Sequence, residues 1–232
     1  MNTEPGMALR PDPWLGQMLG KPAWRLTHTG RELDVIPTPQ ETPCFVDARI
    51  PATDVETVGR LQSAGFRLID TTIQLERSVW PIARSRTSRY ATPDDRARVA
   101  SIAENNFTFS RFHLDPQISK SVADKIKREW ASNYFNGSRG DHMVVAEVGG
   151  EVAGFTQFLQ QGELLIIDLV AVDARFRGKG LARDMIAFAE SKFEGIEQLR
   201  VGTQAANSRS LHAYISNKFQ YVNASYVFHH HG

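Results

Sequence analysis

Hydrophobic positions along the chain change period several times, and each change marks an element. Val55, Val58, Leu61 and Ala64 recur at helical spacing, with Thr53 or Asp54 as a cap and Gly65 as a stop. This predicts a helix over 54–64. It lies between two runs rich in apolar and β-branched residues, 44–50 and 66–75, so the segment reads β-α-β. Upstream, 24–36 suits a short hairpin turning at Thr29 and Gly30. Three prolines within 37–43 make a connector, and residues 1–20 read as an arm or loosely packed lead-in.

Residues 78–90 are basic and irregular, with Arg84, Arg86 and Arg89, and read as a linker. A second unit starts at Ala91. Thr92, Pro93, Asp94 and Asp95 combine a cap, a proline at the first helical position and acids in the first turn. Val99, Ile102 and Ala103 form that helix's buried stripe. Val122, Ile126, Trp130 and Tyr134, four apart, predict a helix over 121–134. Strands follow at 143–148 and 152–158, joined at Gly149 and Gly150, then a more buried strand at 164–172. A helix over 181–193, a strand at 198–203, a helix over 208–217 and a strand at 221–228 complete the order α-α-β-β-β-α-β-α-β. The expected class is α/β (α+β): a mixed central sheet flanked by helices, with residues 1–90 as an arm and small β-α-β subdomain and 91–232 as the main domain.

Composition narrows the function. The chain has 232 residues, 41% hydrophobic and 23% charged, which excludes wholesale disorder. Basic and acidic residues number 27 and 26, and neither half is basic, so no electrostatic footprint for nucleic acid or a membrane surface is expected. The single cysteine, Cys44, excludes an internal disulfide and a thiolate zinc cluster. The longest strongly apolar stretch, 164–172, contains Asp168 and is far too short to span a membrane. A soluble cytoplasmic protein is expected, with a homodimer left open. His229, His230 and His231 read as the end of the last strand, and no metal site is expected there.

The most informative segment runs from the buried strand through Arg175, Phe176, Arg177, Gly178, Lys179 and Gly180 into the helix beginning Leu181-Ala182. The first N–H groups of a helix lack partners and sit at the positive end of its dipole, so they favour an anion. Gly178 and Gly180 let a diphosphate approach the backbone, and Arg175, Arg177 and Lys179 add positive charge. The spacing is neither that of a dinucleotide fingerprint nor that of a Walker loop. Taken alone it also fits a basic turn capping a helix. Further on, Asn207, Ser210, Tyr214 and Phe219 follow a strand and open a helix.

With both constellations in place, the chain from about Ala91 onward resembles the GNAT superfamily of N-acetyltransferases. The run from Arg175 to Gly180 matches that family's Arg/Gln-x-x-Gly-x-Gly/Ala signature, and Asn207, Ser210, Tyr214 and Phe219 match its later segment. Lys218 stands where the family usually has Gly, which implies a differently built turn after that helix. The resemblance implies acetyl-CoA as co-substrate, with its pyrophosphate on the backbone from Arg177 to Ala182. The strand edge Leu169, Val170, Ala171 and Val172 would pair with the pantetheine arm, as an added strand would. Asn207 would contact the cofactor, and Tyr214 would protonate the departing thiolate. Without the resemblance, Tyr214 reads as a core aromatic.

Asp168 is the acid inside the buried strand. Such a carboxylate must be paired, hydrogen-bonded or raised in pKa, so it fits either a general base or a bond to a neighbouring element. The connection between the first two helices of the main domain interleaves aromatics with Arg111, His113 and Asp115. It suits a sugar face and a phosphate, or equally a packed loop with Arg111 paired to Asp115. The β-α-β unit, this connection and the run 201–207 resemble the branch acting on nucleotide-linked 4-amino-4,6-dideoxyhexoses. Two alternatives remain open: an acetyltransferase of a protein N-terminus, lysine or small amine, and a non-catalytic acetyl-CoA-binding module.

Overall fold

A computed structural model describes residues 8–27, 36–39, 41–80, 85 and 87–232. Ten strands form one mixed sheet. In chain order they are β1 (Ala8–Pro11), β2 (Ala23–Thr27), β3 (Phe45–Pro51), β4 (Arg67–Ser78), β5 (Ser88–Tyr90), β6 (His142–Val148), β7 (Glu151–Gln161), β8 (Leu164–Val172), β9 (Gln198–Gln204) and β10 (Gln220–His231). Across the sheet they run β1-β2-β3-β10-β4-β9-β8-β7-β6-β5. Pairs β2/β3 and β8/β9 are parallel, and the others are antiparallel. The helices are α1 (Pro13–Leu19), α2 (Val55–Ser63), α3 (Arg96–Asn106), α4 (Arg111–Leu114), α5 (Lys120–Ser132), α6 (Leu181–Lys192) and α7 (Ser208–Ser216).

The predicted element order from Ala91 onward is present, with α4 as an addition inside the first interhelix connection. The final strand reaches His231, so the histidines end β10 as expected. Within the predicted β-α-β unit, Asp54 rather than Thr53 caps α2, its carboxylate accepting from the Thr57 amide. Its two strands are not neighbours, because β10 inserts between them, antiparallel to both. The expected turn at Thr29 and Gly30 lies outside the described residues. So do Arg84 and Arg86. Within 78–90, the end is a strand: Ser88–Tyr90 pairs with β6. Arg89 there binds Asp95 and Glu147 rather than standing in solvent as part of a basic patch.

The lead-in is better packed than its sequence implies. Asp12 accepts from the Leu15 amide, Pro13 starts the helix, and Gly20 closes it at φ +69°. Leu15 is buried, and Trp14 meets Trp130 of α5 edge-on at 5.9 Å. Asp-Pro at 12–13 is the same start signal as Thr-Pro at 92–93, and it had no long apolar stripe behind it to draw attention.

Helices cover both faces. Met185, Ile186, Ala189 and Tyr214 of α6 and α7 pack with Leu165, Ile167, Leu199 and Val201 on one face. Val99, Ile102 and Ala103 of α3 and Ala131 of α5 pack on the other with Val145, Phe155, Leu169 and Ala171. Strand β3 shows the alternation directly: Phe45 faces α1 and α5, while Val46, Ala48 and Ile50 face α2 and Phe66.

Candidate active site

The sheet opens where β8 and β9 part. Their pairing ends at Ile167 with Val201, although both strands continue. The cause lies on the opposite edge of β8. Phe158 of β7 pairs with Ile167 and Gln157 with Leu169, which leaves Asp168 as an extra residue, a β-bulge. A bulge bends its strand and raises the local twist. It also exchanges the faces: Leu165 and Ile167 point to α6, whereas Leu169 and Ala171 point to α3. Beyond the bulge, the edge of β8 from Leu169 to Val172 lacks a strand partner on the β9 side, and a cleft of about 550 Å³ lies there.

One end of the cleft is the loop before α6. Gly178 and Gly180 have φ of +80° and +76°, and a Cβ at either would meet no atom within 4 Å. Glycine is therefore needed for backbone conformation rather than for space. No acceptor among the described residues meets the amides of 178–182, so these N–H groups stay available at the start of α6. Arg177 lines the cleft and braces it: its guanidinium donates to the Val172 carbonyl (3.1 Å) and to the Asn106 side chain (2.9 Å).

The remaining wall is α7. Asn207 caps it, accepting from the Ser210 amide at 3.2 Å, and both residues line the cleft. Tyr214 lies one helical turn beyond Ser210. Its ring packs edge-on against Phe219, centroids 5.5 Å apart, and its hydroxyl has no hydrogen-bond partner among the described residues. Burial pushes this phenol above its ordinary value, so it stays protonated through the neutral range. Lys218 adopts φ +68°, the left-handed conformation that a glycine there would take. The turn is therefore built in the usual way, contrary to the sequence expectation, with a strained lysine in it.

The structure separates the predicted charges. Leu169, Val170, Ala171, Val172, Arg177, Gly178, Gly180, Leu181, Ala182, Asn207, Ser210, Tyr214 and Asp168 all line the cleft. Arg175 does not: it holds Asp173 at 2.9 Å and Glu151 at 2.5 Å. Those bonds, with Arg98, keep the Asp173 carboxyl well below the usual range. Lys179 lies over the Phe176 ring instead of in the cleft. Arg111 and His113 also sit outside it. Arg111 binds buried Asp47 at 2.5 Å, not Asp115. His113 is held between Ser110 and Asp124, at 2.6 and 3.0 Å. Asp115 instead joins His229 and His231 at 2.6 and 2.8 Å. These three offer atoms close enough to consider a metal. The two histidines are two apart and share a face, which reading neighbouring residues alone overlooks.

Asp168 shows the bonding role. Its carboxylate accepts from Trp130 Nε1 at 2.9 Å, from Arg139 at 2.8 and 2.5 Å, and from Gln157 at 3.3 Å. Sequence reasoning missed Lys127. It lines the cleft in a side-chain row with Ala123 and Ala131, both fully buried.

Fold and cleft define a class. The model of the acetyltransferase (GNAT) family matches residues 105–219, and the chain carries a GNAT acetyltransferase domain there. Members of that family are acyltransferases that use acetyl-CoA. Among individual proteins, the chain is 28% identical over 192 residues to the spore coat polysaccharide biosynthesis protein SpsD of Bacillus subtilis. That match covers 80% of this chain and 66% of SpsD, just under two thirds of its length. It is 26% identical over 179 residues to the dTDP-fucosamine acetyltransferase of Escherichia coli, covering 74% of this chain and 75% of that one. A functionally unknown protein from Staphylococcus epidermidis shares the fold at TM-score 0.70 and 12% identity, over all of this chain and 93% of that one. No helix among the described residues is long and apolar enough to cross a membrane.

Proposed function

We propose that the protein transfers the acetyl group of acetyl-CoA to the amine of a nucleotide-linked 4-amino-4,6-dideoxyhexose. The observation that carries the cofactor half is the shared cleft: the loop before α6 with its free amides, the unpaired β8 edge and Tyr214 all line it. The pyrophosphate sits on the amides from Arg177 to Ala182, and the pantetheine arm pairs with β8 as an added strand. The amine then attacks the thioester carbon. The C–N bond forms, the C–S bond breaks, and the sulfur takes the electron pair and the Tyr214 proton. The acceptor half rests on the activity for which the E. coli relative is named and on the aromatic run from Phe107 to Phe109 in the cleft lining. We further read residues 1–90 as a unit serving that acceptor end, with Asp47 anchoring Arg111.

The test measures coenzyme A release from acetyl-CoA with a dTDP-linked 4-amino-4,6-dideoxyhexose, against peptides with free N-termini or lysines. Turnover confined to the sugar nucleotide supports the reading. Turnover confined to peptides moves the acceptor to a protein. Acetyl-CoA binding with no turnover on either leaves a binding module and overturns it.

A further inference from the structure

The cleft ends against a cation that the reaction so far does not use. Lys127 of α5 is 8% exposed, and it lines the cleft, as do Ser110 and Asp168. Its Nζ makes no hydrogen bond or ion pair with any described residue. It lies instead over two aromatic rings, 4.9 Å from the Phe107 centroid and 4.7 Å from that of Trp130. Asp168, the carboxylate that acts on it, is committed elsewhere, to Arg139 and Trp130. An ammonium so placed is desolvated without an ion-pair partner, which favours the free amine against the pull of the two ring faces.

We propose that Lys127 is the proton acceptor for the attacking amine, a neutral lysine facing the acceptor end of the acetyl-CoA cleft. The inference rests on the acetyl transfer proposed above. An acceptor amine is an ammonium at neutral pH and cannot attack until it sheds a proton. Lys127 Nζ takes that proton and becomes an ammonium. The freed lone pair forms the C–N bond, and collapse breaks C–S. Tyr214 protonates the sulfur, and the remaining surplus proton on nitrogen passes to the tyrosinate through water. Lys127 then returns its proton to solvent, so atoms and charge balance over the turn.

The surroundings support this division. Facing Lys127 are Arg111 of α4, Arg139 of the α5–β6 connection and Asp168 of β8, with His113 nearby. Burial lowers the lysine first, and Arg111 and Arg139 lower it further. Asp168 opposes them, and the result is a value of about 7. A base matched to working pH is the most effective one. Asp168, fully hydrogen-bonded, becomes a positioning residue that orients Arg139 and Trp130 around the amine.

The experiment is the pH dependence of kcat for wild type, Lys127→Met and Lys127→Arg, with acetyl-CoA binding followed by thermal shift. Wild-type kcat should rise through pH 7 and level off above it. Methionine fills the space and arginine keeps a charge, but neither accepts a proton, so both should lose about 10²–10³ in kcat. Both should lose the limb near pH 7 while keeping the acetyl-CoA shift. In parallel, competitive labelling with acetic anhydride, read by mass spectrometry, should show Lys127 becoming reactive near pH 7. Wild-type-like kcat and limb in either variant overturn the proposal. So does labelling that follows an ordinary lysine. An inert wild type that still binds acetyl-CoA overturns the acetyl-transfer reading instead, and the two failures are thus distinct.

Discussion

Tyr214→Phe separates a catalytic hydroxyl from a packing ring. The ring is 8% exposed and held against Phe219, and phenylalanine fills the same place. The hydroxyl bonds to no described residue, so its loss orphans no partner, and stability should stay within about 0.5 kcal/mol. The rate is another matter. Loss of a general acid typically costs about 10²–10⁴, or roughly 2.7–5.4 kcal/mol of barrier. Burial raises the phenol above its ordinary value of 10.0, whereas a thiol ionises near about 8.5. Full transfer to a free thiolate is therefore uphill until the surplus proton on nitrogen reaches the tyrosinate, and in the transition state the hydroxyl acts chiefly as a donor to charge developing on sulfur. That places the expected loss at the lower end, about 10²-fold. The stabilisation exists mainly in the transition state, so kcat and kcat/KM should fall together. The deficit should narrow at low pH, where solvent supplies the proton. Because the phenol is protonated throughout the neutral range, the levelling of wild-type kcat above pH 7 should persist in the variant. A single-turnover assay keeps product release from masking chemistry. A variant that turns over at the wild-type rate there would show that Tyr214 only packs.

Three further outcomes follow from the geometry. Gly180→Glu should abolish the thermal shift given by acetyl-CoA, about 2.7 kcal/mol at a hundredfold the dissociation constant; Gly178→Ala should weaken it, because φ +80° costs an L-residue about 1–2 kcal/mol. Lys218→Gly should raise the melting temperature by about 2 °C, since relief of the left-handed strain exceeds the entropy cost of glycine by roughly 0.5–1 kcal/mol; an unchanged or lower temperature would contradict this. Arg111→Ala should cost at most about 3 kcal/mol by leaving buried Asp47 with Arg25 alone, 3.5 Å away, as read by denaturant melts at pH 7. Burial raises the Asp47 carboxyl, but Arg111 and Arg25 outweigh it and the net value falls below 3.8. This stabilisation is thus complete above about pH 5 and fades as pH drops through the lowered value, so wild type and variant should converge in acid.

The cofactor half of the site was legible because its requirements are local. Glycines at φ +80° and +76°, a helix start and a cap at Asn207 are encoded within a few residues of where they act. The charges were less legible. Arg175 and Lys179 stand beside the loop in sequence, yet Asp173, Glu151 and Phe176 take their side chains away from it. Arg111 pairs with Asp47, 64 positions earlier, and no spacing rule reaches that far. Lys127 sits in a charged run with Lys125 and Arg128, which reads as a solvated face. Its signal was the alanine on either side at four-residue spacing, Ala123 and Ala131, marking a row turned inward.

The insertion of β10 bears on the order of assembly. Strands β1, β2 and β3 reach the rest of the sheet only through β10, which pairs with β3 from Ser225 to His231 and with β4 from Gln220 to His229. On the ribosome, β3 and β4 emerge early and must wait, edges unpaired, until β10 has been made. Every native ladder between the two parts of the sheet spans most of the chain, which makes closure slow and late. Meanwhile β3 carries Phe45, Val46, Ala48 and Ile50, an apolar edge of the kind that recruits other chains. Shortening the chain by its twelve-residue final strand would therefore not trim an end. It would leave two open edges in the middle of the sheet, and aggregation during synthesis, rather than a smaller folded enzyme, is the outcome that topology dictates.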